Sequence, residues 1–201
     1  MNKLAVATNN KNKLKEINHL FEFNKIENVA IFSINDLDVV SDPEETGKTL
    51  AENSLIKSKS LFIKTDIDSI ADDTGLFVDF LDGKPGVKSA RYASEKANDS
   101  ENRTKLLSVL GNSTNRSAHF KTTICFTNND ITKYFEGICP GNISYKEEGK
   151  HGFGYDSIFI PDGYEITFAE MEANLKNKIS HRSIALSKFI NWYKNEYVST
   201  S

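Results

Sequence analysis

Two pairs of adjacent carboxylates are the first residues whose types and spacing suggest chemistry: Glu44-Glu45 in a turn-rich segment and Asp72-Asp73 at the end of a short β-rich run. Neighbouring carboxylates repel in the absence of a cation. A hard ion such as Mg²⁺ is held by one or two protein carboxylates together with water and substrate phosphates. Lys57 follows the first pair and gives the same region both signs of charge. A second group, Thr8-Asn9-Asn10-Lys11-Asn12-Lys13, brings side-chain caps, backbone N–H groups and ammonium groups to a predicted helix start, where the helix dipole favours an anion. In a third, His151-Gly152-Phe153-Gly154-Tyr155-Asp156, glycines flank an aromatic ring, so Phe153 can stack on a flat ligand while Asp156 accepts hydrogen bonds. The fourth runs from Lys176 to Arg182, with Ser180 placed to cap a final helix and His181 and Arg182 in its first turn. Cations are disfavoured at a helix N-terminus, so a nearby anion or carbonyl-rich ligand would compensate them. Taken singly, each group also has a plain structural reading, as a capped surface helix, a solvated turn or a tight turn over a core ring.

These groups need elements to position them. Lys3–Thr8 reads as a strand, followed by a helix through Leu14, Ile17, Leu20 and Phe21, then a second strand at Val29–Ser33. After the loop Asp42–Gly47, the residues Leu50, Ala51, Ser54, Leu55, Ser58 and Phe62 predict a helix with Asn53 and Lys57 together on an adjoining face. Ser69–Ala71 predicts a strand that ends at a polar turn, Asp72-Asp73-Thr74-Gly75, before another β-rich stretch at Leu76–Phe80. A helix across Glu101–Leu110 should stop at a left-handed Gly111, and Ser117–Thr127 with Ile131–Ile138 forms a hairpin around Asn128-Asn129-Asp130. Ile184, Leu186, Phe189, Ile190 and Tyr193 give a last amphipathic helix. The sum is a single α/β domain over residues 1–201, with a mixed β-sheet, flanking helices and loops that carry the chemistry.

Other classes fall away. Gly47-Lys48-Thr49 resembles the end of a P-loop, but Asp42 stands where that pattern needs its first glycine. The glycines of a dinucleotide-binding turn are missing after the first strand. With 25 Lys plus Arg against 28 Asp plus Glu, the net charge of −3 argues against a nucleic-acid groove, which requires a basic stripe. No apolar run approaches the roughly 20 residues that span a bilayer, and no secretory leader is legible, so no membrane role and a cytoplasmic location are expected. Cys125 and Cys139, with no ligand spacing around them, read as small buried hydrophobes.

The ordered motifs Thr8-Asn9-Asn10-x-x-Lys13-x-x-Glu16, Glu45-Thr46-Gly47-x-Thr49-x-x-Glu52-Asn53-x-x-x-Lys57, Ala71-Asp72-Asp73-Thr74-Gly75-Leu76, Pro85-Gly86-x-x-Ser89-Ala90-Arg91-Tyr92, Gly152-Phe153-Gly154-Tyr155-Asp156 and Ile179-Ser180-His181-Arg182 together resemble the inosine triphosphate pyrophosphatase family. The resemblance implies two α/β lobes enclosing a nucleotide-binding cleft. It further implies a Mg²⁺-dependent homodimer that hydrolyses noncanonical purine nucleoside triphosphates (ITP, dITP, XTP) to the monophosphate and pyrophosphate. By the same carry-over Glu45 and Asp73 are metal ligands, and Asp73 is also the general base. Lys13 and Lys57 meet the triphosphate, Thr8, Asn9, Asn10, Lys11 and Asn12 form the phosphate-side loop, and Thr74 is a further contact. Phe153, Gly154, Tyr155, Asp156, Lys176, His181 and Arg182 lie on the base side. Ser157, Leu50 and Leu175 depart from the usual pattern, which has proline, phenylalanine and an acidic residue there. A less selective nucleotide pyrophosphatase and a non-catalytic nucleotide-binding regulator are the competing readings.

Overall fold

Side-chain caps at Asn10, Thr49 and Asn98 start three of the helices, and the strand through residues 135–143 alternates buried and exposed residues. The structure, a computed structural model, describes residues 2–24, 29–96 and 98–197. In chain order these hold β1 (Asn2–Val6), α1 (Lys11–Phe23), β2 (Val29–Ser33), α2 (Leu50–Thr65), β3 (Ser69–Val78), β4 (Lys84–Gly86), α3 (Asp99–Leu110), β5 (Ser117–Thr127), β6 (Thr132–Ile143), β7 (Phe159–Pro161), α4 (Ala173–Ile179) and α5 (His181–Trp192). The strands form one mixed sheet in the order β2-β1-β3-β5-β6-β7, with β4 also on β3. β1 pairs in parallel with β2 and β3; β3–β4 and β6–β7 are antiparallel. The α/β class and mixed sheet are those expected.

The chain divides into two compact units, the first made of Met1–Asp73, Thr122–Gly137 and Arg182–Ser201, the second of Thr74–Lys121 and Ile138–His181. In the first unit, Ile17, Leu20 and Phe21 of α1 and Ala185, Leu186, Phe189 and Ile190 of α5 share a core with Leu4, Val6, Ile70 and Phe126. Each large side chain buried there contributes about 1.5–3 kcal/mol. A smaller cluster of Ala5, Ala7, Ile34, Leu61 and Ala71 belongs to the same unit. The second unit has its own core around Leu76, Leu106, Phe120, Tyr155, Phe159 and Phe168.

Several local expectations need correction. β3 does not end at Asp72: it runs unbroken from Ser69 to Val78, because both carboxylates find cations and the backbone can stay in the ladder. Phe80 lies beyond that strand, in the short 3₁₀ turn Asp79–Leu81. The buried face of α2 comprises Leu50, Asn53, Ser54, Ser58 and Leu61, whereas Ala51, Leu55 and Phe62 are half-buried. Asn53 can turn inward since its amide is hydrogen-bonded on both sides. Gly111 ends α3 at positive φ (48°), but its ψ of −127° is outside the left-handed helical region. The hairpin forms as read, Asn128 Oδ1 accepting the N–H groups of Asp130 and Ile131, although β6 begins at Thr132 and extends to Ile143. α4 had no signal: it is short, no side chain caps its start, and its buried residue is a lysine.

Candidate functional site

Asp72 and Asp73 are consecutive residues of an extended strand, so their side chains leave on opposite faces. Ile70 packs in the α1/α5 core and Ala71 in the cluster with Leu61 of α2, which assigns the even positions to α1 and α5 and the odd ones to α2. Asp72 accordingly meets Lys13 of α1 (3.1 Å) and Arg182 of α5, whose Nε and Nη2 each donate to Oδ2 at 3.1 Å. Arg182 Nη1 donates to Glu16, one turn from Lys13 on α1. On the other face Asp73 Oδ1 accepts from Lys57 Nζ at 2.8 Å and Oδ2 from Asn53 Nδ2 at 3.4 Å. The same Lys57 ammonium reaches Glu45 Oε1 at 2.9 Å. Lys57 thus joins the acidic loop to the strand, and Lys13, Glu45, Lys57 and Asp73 gather around one dipeptide.

The loop and both helix starts explain this placement. Asn10 caps α1, its side chain accepting from the N–H groups of Asn12 and Lys13 at 2.9 and 3.2 Å, while Thr8 Oγ1 accepts from Asn10 N–H. The first turn of α1 has no acidic residue, and Lys11, Asn12, Asn9 and Asn10 are exposed. Asn9 reaches Ser41 and Asp42 at 3.5 Å. α2 begins differently: Thr49 and Glu52 form a capping box, and Glu52 accepts the N–H groups of Lys48 and Thr49. That helix start is filled by its own carboxylate, in keeping with the rejection of a P-loop. Gly47 N–H donates to Asn53 Oδ1 at 2.8 Å, and a Cβ on Gly47 would overlap that oxygen.

Burial and charge set the protonation states. Burial opposes ionisation of Asp72, but Lys13 and Arg182, then Lys57, outweigh it and hold the carboxyl well below the usual range. For Asp73 burial prevails over Lys57 and Lys13, and its pKa is raised. Burial pulls the Lys13 ammonium below the ordinary lysine value against the attraction of Asp72. Lys57 is also desolvated, yet Asp73, Asp72 and Glu45 together raise it.

Glu45 and Asp73 contact one ammonium nitrogen, so both carboxylates can address a single cation. Among the described residues no three His, Cys, Asp or Glu side chains are grouped as a metal cage. Two carboxylates fit Mg²⁺, which takes its other oxygens from water and phosphates.

The residues expected on the base side, other than Arg182, lie in the second unit. Asp156 Oδ2 accepts from Phe153 N–H and from Lys176 Nζ, both at 2.8 Å, with both charged side chains more than nine-tenths buried. Lys176 also lies 5.2 Å from the Phe153 ring centroid and 5.6 Å from that of Phe168. Gly152 adopts φ +77°, and a Cβ there would run into the Asp156 carboxylate. Tyr155 points inward, its hydroxyl donating to the Ser89 carbonyl at 2.7 Å. His181 stacks on Phe120 at 4.5 Å and 17°. Ser180, in extended backbone (φ −70°, ψ 151°), separates α4 from α5, which places His181 and Arg182 in the first turn of α5 as expected. Thr74 is half-buried on β3. Cys125 and Cys139 are buried free thiols, as expected. The residue type alone gives Glu16 no role; its spacing from Lys13 puts the two on one face of α1.

The sequence profile of the Ham1 family matches residues 4–192. A dITP/XTP pyrophosphatase from Flavobacterium psychrophilum is 44% identical over 192 residues, covering 96% of this chain and 99% of the relative. The dITP/XTP pyrophosphatase of Christiangramia forsetii is also 44% identical, over 94% and 98% of the two chains. Among solved structures, the Ham1 protein of Staphylococcus aureus superposes with a TM-score of 0.86 at 36% identity, covering 96% of this chain and 99% of that one. The HAM1 protein of Coxiella burnetii gives 0.88 at 32% identity, with the same coverage. The fold, the profile and these full-length relatives agree: the chain belongs to the Ham1 family.

Proposed function

We propose that this chain is a nucleoside triphosphate pyrophosphatase that hydrolyses dITP, XTP and ITP to the monophosphate and pyrophosphate. The observation that carries this reading is Lys57 joined at once to Asp73 and Glu45, beside the Lys13–Asp72–Arg182 cluster. A triphosphate brings about four negative charges near neutral pH, and neutralising them is most of what such a reaction asks of a protein. Lys13, Lys57 and the α1 start with Thr8, Asn9, Asn10, Lys11 and Asn12 take the phosphate end, with Thr74 adjoining. Mg²⁺, held by Glu45 and Asp73, supplies further charge neutralisation when bound.

Asp73 takes the proton of the attacking water as the bond between the α-phosphate and pyrophosphate breaks. Burial raises its pKa, which makes the carboxylate a stronger base than an ordinary one, and a positioned base contributes about 10²–10⁴ in rate. Phe153 supplies the face on which the base stacks, with Gly154, Tyr155, Asp156, Lys176 and His181 shaping the turn around it. Arg182, whose guanidinium Asp72 and Glu16 hold in place, only donates hydrogen bonds, so an N–H it turns to the base suits the carbonyl at position six of hypoxanthine and xanthine and not the amino group of adenine. The resemblance adds a cytoplasmic homodimer, checked by light scattering at twice the chain mass.

Pyrophosphate release measured across triphosphates, with and without Mg²⁺, tests the reading. Cleavage of ITP, dITP and XTP is expected to exceed that of ATP and GTP by about a hundredfold or more. Equal rates on all purines would remove the selectivity, and no Mg²⁺-dependent turnover on any of them would leave a binding protein.

A further inference from the structure

The turn that carries Phe153 is gripped from outside by one helix. Asp99 and Arg103, one turn apart on α3, hold the two backbone polar groups of Gly154: Asp99 Oδ2 accepts its N–H at 2.7 Å, and Arg103 Nη1 donates to its carbonyl at 2.7 Å. The Arg103 fork does not stop there. Its Nε donates to Glu147 Oε2 at 2.8 Å, the same oxygen that accepts from Ser157 Oγ at 3.1 Å, and the Ser157 carbonyl accepts from Glu148 N–H at 2.8 Å. Phe153 therefore sits between two anchors, its own N–H on Asp156 and the next peptide on α3.

We infer that Arg103, with Asp99, is a positioning residue for nucleobase binding: α3 sets the angle of the Phe153 ring through the backbone of Gly154. This deepens the reading of that turn as the base platform and rests on it. The planar guanidinium suits the task because it reaches a carbonyl and a carboxylate in one plane, which an ammonium cannot do. A ring held in this way loses little freedom when a base stacks on it, so the clamp acts on affinity for the nucleoside end. Neither residue belongs to the phosphate-binding group in the first unit.

The test uses the full chain with Mg²⁺ and dITP, with inorganic tripolyphosphate as a probe of the phosphate end alone. Arg103→Met is expected to raise KM for dITP about tenfold, with kcat changed by less than about twofold and inhibition by tripolyphosphate unaltered. Arg103→Lys should fall between this variant and the parent. Asp99→Asn keeps an acceptor oxygen at an exposed helix start, retains the fold, and is expected to raise KM about threefold. An unchanged KM in Arg103→Met and Asp99→Asn overturns the inference, as does a parallel loss of kcat, tripolyphosphate inhibition and thermal stability. Phe153→Ala keeps the two claims apart. Should it leave KM for dITP untouched, the base-platform reading itself falls; should it raise KM while the α3 variants do not, only the role of α3 is lost.

Discussion

Around Asp72 and Asp73 the cations Lys13, Lys57 and Arg182 meet the carboxylates of Glu16, Glu45 and the two aspartates, whereas the Gly152–Asp156 turn sets the Asp156–Lys176 ion pair against aromatic rings. The first region joins residues far apart in the chain: Arg182 lies 110 positions from Asp72 and 166 from Glu16. The second is largely local, Asp156 reaching back three residues to Phe153 and forward 20 to Lys176. A polyphosphate is recognised by charge, which must be gathered and balanced in advance. A base is recognised by shape, which a turn can supply if its backbone is held. Charge in the first region should therefore govern rate, and backbone order in the second should govern affinity.

The largest test of that division is Asp73→Asn. It removes the proposed base and is expected to lower kcat about a thousandfold, with the dissociation constant for dITP changed far less, as read by calorimetric binding and stopped pyrophosphate assays. A variant that loses binding as completely as turnover would merge the two regions into one function. Next comes stability. Asp72→Asn leaves Lys13 and Arg182 buried without their shared carboxylate and should cost about 3 kcal/mol or more in urea unfolding, because a buried charge is left uncompensated. Asp156→Asn takes the carboxylate charge from Lys176, which keeps the Phe153 and Phe168 faces nearby, so its cost should be lower, about 2 kcal/mol. Equal costs would show that the number of cations on a carboxylate does not distinguish the regions.

The smallest effect concerns the thiols. Burial, aided by Asp162, pushes Cys139 up to about 11, and burial likewise raises Cys125. A raised thiol pKa keeps the unreactive protonated form through neutral pH and yields the thiolate only as pH climbs toward the shifted value. At pH 8 about one Cys139 in a thousand is ionised, so iodoacetamide labelling of the native protein should be slow and should quicken about tenfold per pH unit. Rapid labelling at pH 7 would contradict the burial of both thiols.

Much of the arrangement around Asp73 was legible because it depends on local rules. Helical spacing alone put Asn53 and Lys57 toward the same place, and both reach Asp73. The cap at Asn10 and the Asn128 hairpin follow from side-chain hydrogen bonds that short polar residues form with nearby backbone. What failed to read were features whose local signal runs against the tertiary outcome. Asp72-Asp73-Thr74-Gly75 has turn chemistry but continues a strand, since partners from three helices neutralise it. Lys176 looks like a surface residue but is buried on Asp156.

The sequence by itself determined the periodicities that make α1, α2, β6 and α5, the identity of the acidic and basic residues, and the membership of the turn around Phe153. These follow from contacts a few residues long. Only the tertiary structure decided which carboxylate each cation serves, that Asp72 is held ionised while Asp73 is raised, and that α3 grips Gly154. Those outcomes depend on burial and on Coulomb interactions between groups brought together by folding, and both are properties of the packed chain rather than of any segment of it.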